Sequence, residues 1–255
     1  MSVANGGTGS TVEKYVPLTS LPLSVANGGT GSTVEKYLPL VGGTIKALSG
    51  NTGLGIDTTA GLASYVQGAK NGAGRWVMYL GNGDAESGSN AGSNFKIDRF
   101  ADNGTYLGEA LVINRASGVV SLPAQPSFFA YGVNQAGQNS DFIFSFTYWN
   151  TGNRYNTSNG RFTAATAGIY FFRFNVMADS PGGPYEIRLS LYKNGFSPGI
   201  NYILNKPATA YLSMEVSGHV YLGAGDYITA RYVQGIATWY TADSVWSSFS
   251  GHFVG

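Results

Sequence analysis

Residues that commonly carry enzymatic chemistry are few in this chain. The two histidines, His219 and His252, stand in strand-like surroundings and outside any metal-binding spacing such as HExxH. The chain contains no cysteine, which excludes disulfides, thiolate metal sites and cysteine nucleophiles. The glycine run Gly6–Gly9 lacks the lysine and following helix of a phosphate-binding loop. We therefore expect no catalytic residues, no metal and no cofactor.

Acidic residues do not cluster in the sequence either. A glycosidase needs two carboxylates flanking one bond, and these can come from distant positions. No spacing here nominates such a pair. The aspartates that border predicted strands are Asp141, Asp179, Asp226 and Asp243.

The residue types that suit binding lie in a different set of segments. Trp239 and Tyr240 stand in a stretch without strand periodicity, and exposed aromatic rings beside polar groups stack on sugars or grip protein surfaces. Packing of the two rings against a neighbouring subunit is the alternative. Further residues that could supply binding contacts are Asp179, Tyr185, Lys206 and Asp243.

Short strands must position these residues. Glycine accounts for 37 of 255 residues, charged residues for only 11% and aromatic residues for 14%, which favours strands joined by tight turns. Alternating patterns predict strands, and no segment keeps a helical period. The predicted strands are 75–80, 94–100, 109–114, 119–122, 142–148, 160–164, 169–176, 185–193, 210–216, 227–233 and 245–254.

The chain divides into three predicted regions. Residues 1–45 hold two copies of SVANGGTGSTVEKY, at Ser2–Tyr15 and Ser24–Tyr37, so they form glycine-rich 22-residue repeats for attachment or a stalk. A flexible linker is the alternative. Residues 46–122 form a β-rich shaft region with a thin core, and residues 123–255 form an aromatic-rich all-β head.

Charge and hydropathy limit the partners. The net charge is +1 without a lysine or arginine cluster, so we expect no nucleic acid and no anionic membrane as partner. The longest apolar stretch, Ile169–Met177, is broken by Arg173 and Asn175. That stretch is far shorter than the ~20 residues that a spanning helix needs, so we expect no membrane insertion.

Eight residues of the head carry a recognisable spacing, F-x5-N-x4-Y-x6-F-x5-G-x-Y-x-F-x-F. This pattern resembles the signature of the C1q family. Tyr192–Gly195 (YKNG), Gly225–Ile228 (GDYI) and Ser247–Gly251 (SSFSG) resemble further family motifs, although His252 departs from the usual apolar residue. The signature residues are Phe144, Asn150, Tyr155, Phe162, Gly168, Tyr170, Phe172 and Phe174. The resemblance implies an all-β C1q/TNF-like jelly-roll sandwich that assembles as a homotrimer.

The first two regions resemble bacteriophage tail fibres, through VANGGTGST, Tyr37–Ile45 (YLPLVGGTI) and the segment from Phe95 to Leu122. Together the resemblances imply a virion fibre or spike, acting outside the cell, with a C1q-like tip. Its expected partners are a polysaccharide or protein receptor on the bacterial surface and, through the N-terminal region, other tail or baseplate proteins. The alternatives are a purely structural trimerisation or attachment part and a capsule-degrading tailspike.

The resemblance also places the candidate receptor residues. In a C1q-like jelly roll the C-terminus returns to the stalk end, so loops before a stalk-directed strand lie at the far tip. These tip loops are Ala178–Tyr185, Leu204–Ala210 and Gln234–Ser244. Some C1q-like trimers bind calcium near their axis; the aspartates here are scattered in the sequence, so a calcium site would have to be built by the fold.

Overall fold

The architecture is taken from a computed structural model of the chain. The described residues are 56–59, 61–179, 185–206, 211–241 and 246–255; six residues at strand ends in this set, Asp179, Tyr185, Tyr202, Leu204, Asn205 and Lys206, are described by their backbone alone. The N-terminal repeats lie outside the described residues.

The first sheet occupies the predicted shaft region and has five antiparallel strands in the order β1-β2-β3-β4-β5. The strands are β1 Ser64–Lys70, β2 Ala73–Gly81, β3 Phe95–Phe100, β4 Tyr106–Ile113 and β5 Val120–Ser121. Its turns carry residues that tolerate a positive φ, such as Asn71 at 50° and Gly72 at 79° between β1 and β2.

The head is a sandwich of two six-stranded antiparallel sheets, an all-β jelly roll. Its strands are β6 Ser127–Val133, β7 Ser140–Asp141, β8 Phe144–Asn150, β9 Tyr155–Asn156, β10 Arg161–Thr163, β11 Gly168–Asp179, β12 Tyr185–Lys193, β13 Asn201–Lys206, β14 Leu212–Leu222, β15 Tyr227–Gln234, β16 Thr238–Trp239 and β17 Ser248–Phe253. One sheet runs β9-β10-β15-β12-β13 with β7 beside β15, and the other runs β14-β11-β17-β6-β8 with β16 beside β11. The predicted fold class of the head is confirmed.

The core between the sheets is built from rings. Phe162 in β10 of one sheet, and Tyr170, Phe172 and Phe174 at alternate positions of β11 in the other sheet, are 0% exposed. Phe128 joins them, stacked 4.9 Å from the Tyr155 ring. Such rings bury a large apolar area, so this cluster is the main source of stability in the head.

The signature glycine Gly168 is required by close packing. A Cβ at this position would lie 2.5 Å from Phe253 Cε2 and 2.7 Å from the carbonyl oxygen of Gly255. At Gly160 the backbone has a φ of +71°, and a Cβ would lie 2.5 Å from the Phe142 carbonyl oxygen. Close packing at Gly168, and a positive φ together with close packing at Gly160, therefore exclude larger residues at both positions.

Several predicted boundaries are wrong. The predicted tip loops are shorter than expected, because Ala178 and Asp179 belong to β11, Leu204–Lys206 to β13 and Thr238–Trp239 to β16. Strands β1, β6, β7, β9, β13 and β16 were not expected at all. The predicted strand 185–193 coincides with β12.

Candidate functional site

Strand β11 runs from one end of the head to the other. At its beginning, the amide of Ile169 donates to the carbonyl of Gly255 at 2.6 Å, and the nearby Phe253 amide donates to Pro126 at 3.0 Å. This is the end where the chain enters from the shaft region. Near the other end of β11, the Tyr240 amide donates to the Met177 carbonyl at 2.9 Å. Eight residues of extended chain place this distal end roughly 25 Å away.

An apolar cleft opens at the distal end. Its volume is about 280 Å³, and it is lined by Met177, Tyr211, Tyr240 and Trp246. We call these four residues the distal aromatic cleft. Tyr211 and Trp246 are each 56% exposed, and the rings of Tyr211 and Tyr240 meet edge to face at 5.9 Å. The cleft therefore offers aromatic faces to solvent at one end of the head.

Hydrogen bonds fix the backbone beneath the cleft. The side-chain amide of Asn175 donates to the Trp246 carbonyl at 2.8 Å, while its oxygen accepts a bond from Ser248 Oγ at 2.6 Å. The Met177 amide donates to Ser247 Oγ at 3.1 Å. Because Trp246 and Met177 are held through their main chains, their side chains are presented from a fixed base.

Trp239 does not take part in this surface. Its indole is 2% exposed and lies edge to face with Phe142 and Tyr232, each at 4.9 Å. Its Nε1–H donates to the Ala136 carbonyl at 3.0 Å. The expectation of an exposed Trp239 ring is wrong, because the two-residue strand β16 pairs with β11 and turns the side chain into the core.

The other predicted receptor residues fall into two groups. Tyr240 is half-buried and lines the cleft, so its receptor contact stays a prediction. The backbones of Asp179, Tyr185 and Lys206 lie at strand ends, where Asp179 pairs with Thr238 and Tyr185 with Lys206. Their side chains, and Asp243 as a whole, lie outside the described part of the structure.

Sequence reasoning missed Met177, Tyr211 and Trp246. Tyr211 follows the predicted tip loop Leu204–Ala210, and Trp246 stands two residues after Gln234–Ser244, but both fell inside predicted strands. Their positions in the sequence carry no signal for a shared cleft, because the three residues meet only in the folded head. Trp246 precedes the buried pair Ser247 and Ser248, so it lies before the alternation of β17 begins.

A second aromatic surface covers the outer face of strands β6 and β8. Phe129 lies 5.3 Å from Trp149, and Tyr131 lies 4.7 Å from Tyr148 and 5.5 Å from Phe146. We call these five residues the outer aromatic patch. Phe146, Tyr148 and Trp149 are 43%, 64% and 49% exposed. Trp149 packs across strands against Phe129, yet half of it stays open to solvent.

The C1q signature residues form one connected unit. The Tyr155 hydroxyl accepts a bond from the Phe144 amide at 3.1 Å and donates to the Phe144 carbonyl at 3.3 Å. Burial raises the pKa of this hydroxyl well above its ordinary value, although the bond to the Phe144 backbone acts in the opposite direction. A family model for the C1q domain matches residues 128–254. Residues 128–254 form a C1q domain.

Solved structures similar to this chain include the globular domain of zebrafish complement 1qA protein, 18% identical, with a TM-score of 0.38 and 51% of this chain and 98% of that chain covered. Murine APRIL is 16% identical, with a TM-score of 0.41 and coverage of 51% and 99%. No curated protein sequence matches the chain. C1q/TNF-like domains are typically non-enzymatic and homotrimeric.

Two further observations concern partners of the C1q domain and the shaft sheet. Within the described residues, no group of three or more histidine, cysteine, aspartate or glutamate side chains is placed to hold a metal ion. In the same part of the chain, no helix is long and apolar enough to cross a membrane.

Proposed function

We propose that this chain is a non-enzymatic, trimeric bacteriophage fibre protein whose C1q-like tip binds a receptor on the bacterial surface during adsorption. The protein belongs to the virion, as a tail fibre or spike, and acts outside the cell. The N-terminal region joins other tail or baseplate proteins. The observation that carries the proposal is the distal aromatic cleft, at the end of the C1q domain farthest from the point where the shaft region enters.

The cleft supports binding of a ring-shaped group. Exposed tyrosine and tryptophan faces stack on the apolar face of a sugar or on an aromatic side chain of a protein. Tyr211 and Trp246 are more than half exposed, and the cleft volume of about 280 Å³ suits one such ring. The receptor is therefore a glycan or a protein that inserts one ring into each cleft.

Trimer assembly is supported by the outer aromatic patch. Five rings on one sheet face are an unusual surface for a monomer, because large apolar patches mark interaction sites. A closed three-fold assembly would cover the patch on each copy and present three distal clefts together. Three linked sites raise the apparent affinity for a cell surface without any new contact.

A purely structural role is the second candidate, in which the C1q domain trimerises or attaches the fibre and another protein finds the host. The outer aromatic patch favours it, because that surface serves assembly in either case. A capsule-degrading tailspike is the third possibility, and release of reducing sugar from host polysaccharide would identify it.

The test is binding of the labelled full chain to a panel of bacterial strains, with competition against phage adsorption. The double variant Tyr211→Ala/Trp246→Ala removes the cleft rings, and we expect strain-selective binding to fall at least about tenfold. Phe196→Ala is the matched control, because Phe196 is 79% exposed and follows β12 at the opposite end of the head. Unchanged binding in the cleft variant, or no binding of the folded trimer to any sensitive strain, would favour the structural role.

A further inference from the structure

The shaft sheet β1–β5 has two chemically distinct faces. Paired residues of antiparallel strands share a face, so the register assigns each side chain. Val66 pairs with Met78, Met78 with Ile97 and Ile97 with Leu111. Continuing the register and the alternation along each strand, one face carries Val66, Trp76, Met78, Leu80, Phe95, Ile97, Leu111, Ile113 and Val120. We call these nine residues the apolar shaft face.

The opposite face carries a cluster of charged side chains. Lys96 Nζ lies 3.3 Å from Asp98 and 3.3 Å from Glu109, and it sits 4.8 Å from the Tyr79 ring centroid. Burial lowers the pKa of Lys96, but its hydrogen bonds and charge interactions with the two carboxylates outweigh this and raise the pKa overall. This face therefore has its own network of ion pairs.

The apolar shaft face is open to solvent in a single chain. Trp76 is 52% exposed, Val120 57%, Leu80 45%, Val66 44% and Met78 37%. Among the described residues of this sheet, Val77 is the one hydrophobic side chain that is fully buried, and it lies on the opposite face. A sheet needs a second layer on its apolar face to be stable, so this face requires a partner.

We propose that the apolar shaft face is an interface between copies of this chain, in which three shaft sheets pack their apolar faces around the fibre axis. This inference rests on the proposed trimer of the C1q domain. Strand β5 ends at Ser121 and β6 begins at Ser127. So short a connection spans at most about 20 Å, so a trimeric head holds three shaft sheets at a high effective concentration.

Charge also favours a second copy as the occupant. The charged positions that the register and the strand alternation assign to this side of the sheet are Lys70, at the end of β1, and Arg99, whose Nη2 donates to the Leu107 carbonyl at 3.3 Å. Both cations stand towards the β1–β2 hairpin end, so the apolar residues that lie away from that end can pack between copies while the cations stay at the edge of the contact. Residues 1–55 of the same chain are the other available cover, and the test below separates the two.

Single cysteines provide the test, since the natural chain has none. Val66 and Gln67 are neighbours in β1, both exposed in one chain and on opposite faces of the sheet. The full-length variants Val66→Cys and Gln67→Cys are assembled, checked for trimer mass by sedimentation, and treated with a maleimide and with bis-maleimides of graded length. We expect the Val66→Cys thiol to react at least about tenfold more slowly than the Gln67→Cys thiol and to cross-link between copies.

The outcomes separate this inference from the proposed trimer. A trimer in which Cys labelling is equally fast at both positions overturns the shaft interface and leaves the trimeric head intact. A slow thiol at position 66 without cross-links between copies also overturns it, because a segment of the same chain then covers the face. A monomer by sedimentation overturns both proposals together.

Discussion

The side chain of Asn150 bonds the backbone of Tyr155 in both directions: its amide donates to the Tyr155 carbonyl at 2.8 Å, and its oxygen accepts the Tyr155 N–H at 3.0 Å. The turn between β8 and β9 is thereby closed, and Tyr155 enters the core with its hydroxyl bonded to the Phe144 backbone. Replacing Asn150 with alanine leaves two backbone groups without these bonds. We expect Asn150→Ala to lower the free energy of unfolding by about 2 kcal/mol, measured by urea denaturation.

The exposed Gln234, at the end of β15, is the matched control for this substitution. Gln234→Ala should change the free energy of unfolding by no more than about 0.5 kcal/mol. Equal losses of unfolding free energy in the two variants would contradict a stabilising role for the hydrogen bonds of Asn150.

The sequence predicted the core of the head well, for a physical reason. Phe162, Tyr170, Phe172 and Phe174 stand at apolar positions of predicted alternating strands, and large rings at such positions are normally buried. The burial of Trp239 could not be predicted in this way, because β16 is only two residues long and too short to show an alternating pattern. Its burial depends on pairing with the end of β11, which is a long-range contact.

Trp239 and Tyr240 are neighbours in sequence with opposite roles, so their alanine variants should separate stability from binding. Trp239→Ala removes a buried indole and should destabilise the head by about 3–5 kcal/mol, measured by urea denaturation. Tyr240→Ala should cost about 1 kcal/mol and reduce cell binding instead. A Trp239→Ala protein that is as stable as the natural chain would contradict the core position of this residue.

The distal aromatic cleft was beyond sequence reasoning for a related cause. Its four residues come from β11, from the residue before β14, from the residue after β16 and from the segment before β17. Each residue alone looks like an ordinary strand or loop aromatic. Only the jelly-roll connections bring Tyr211 and Tyr240 within 5.9 Å of each other.

Asp226 predicts how stability responds to acid. The side chains of Lys193 and Asn194 and the Gly223 amide bond this carboxylate and lower its pKa from 3.8 to about 2. A lowered folded-state pKa contributes stability that is present above pH 3.8 and is lost as the pH falls towards 2. Asp226→Asn should therefore flatten the fall in melting temperature between about pH 4 and pH 2.

The control for the acid experiment is Asp102→Asn, which removes a carboxylate whose side chain is fully open to solvent. The melting temperature of this variant should fall in acid as that of the natural chain does. If the melting temperature of Asp226→Asn falls over the same pH range as steeply as that of the natural chain, then the hydrogen bonds of Asp226 do not cause the loss of stability in acid.

The ion pairs of the shaft sheet allow a prediction about buried charge. The Asp98 side chain is 5% exposed and that of Lys96 is 16% exposed, so removing the cation leaves a buried carboxylate without its partner. Lys96→Met should destabilise the shaft sheet by about 3 kcal/mol, followed by hydrogen exchange of the β3 amides. Glu86→Gln breaks the exposed pair with Arg115 and should cost at most about 1 kcal/mol. The double variant Lys96→Met/Asp98→Asn should recover part of the loss, because no buried charge then remains at position 98. Equal protection of the β3 amides in Lys96→Met and the natural chain would show that Asp98 does not depend on this lysine.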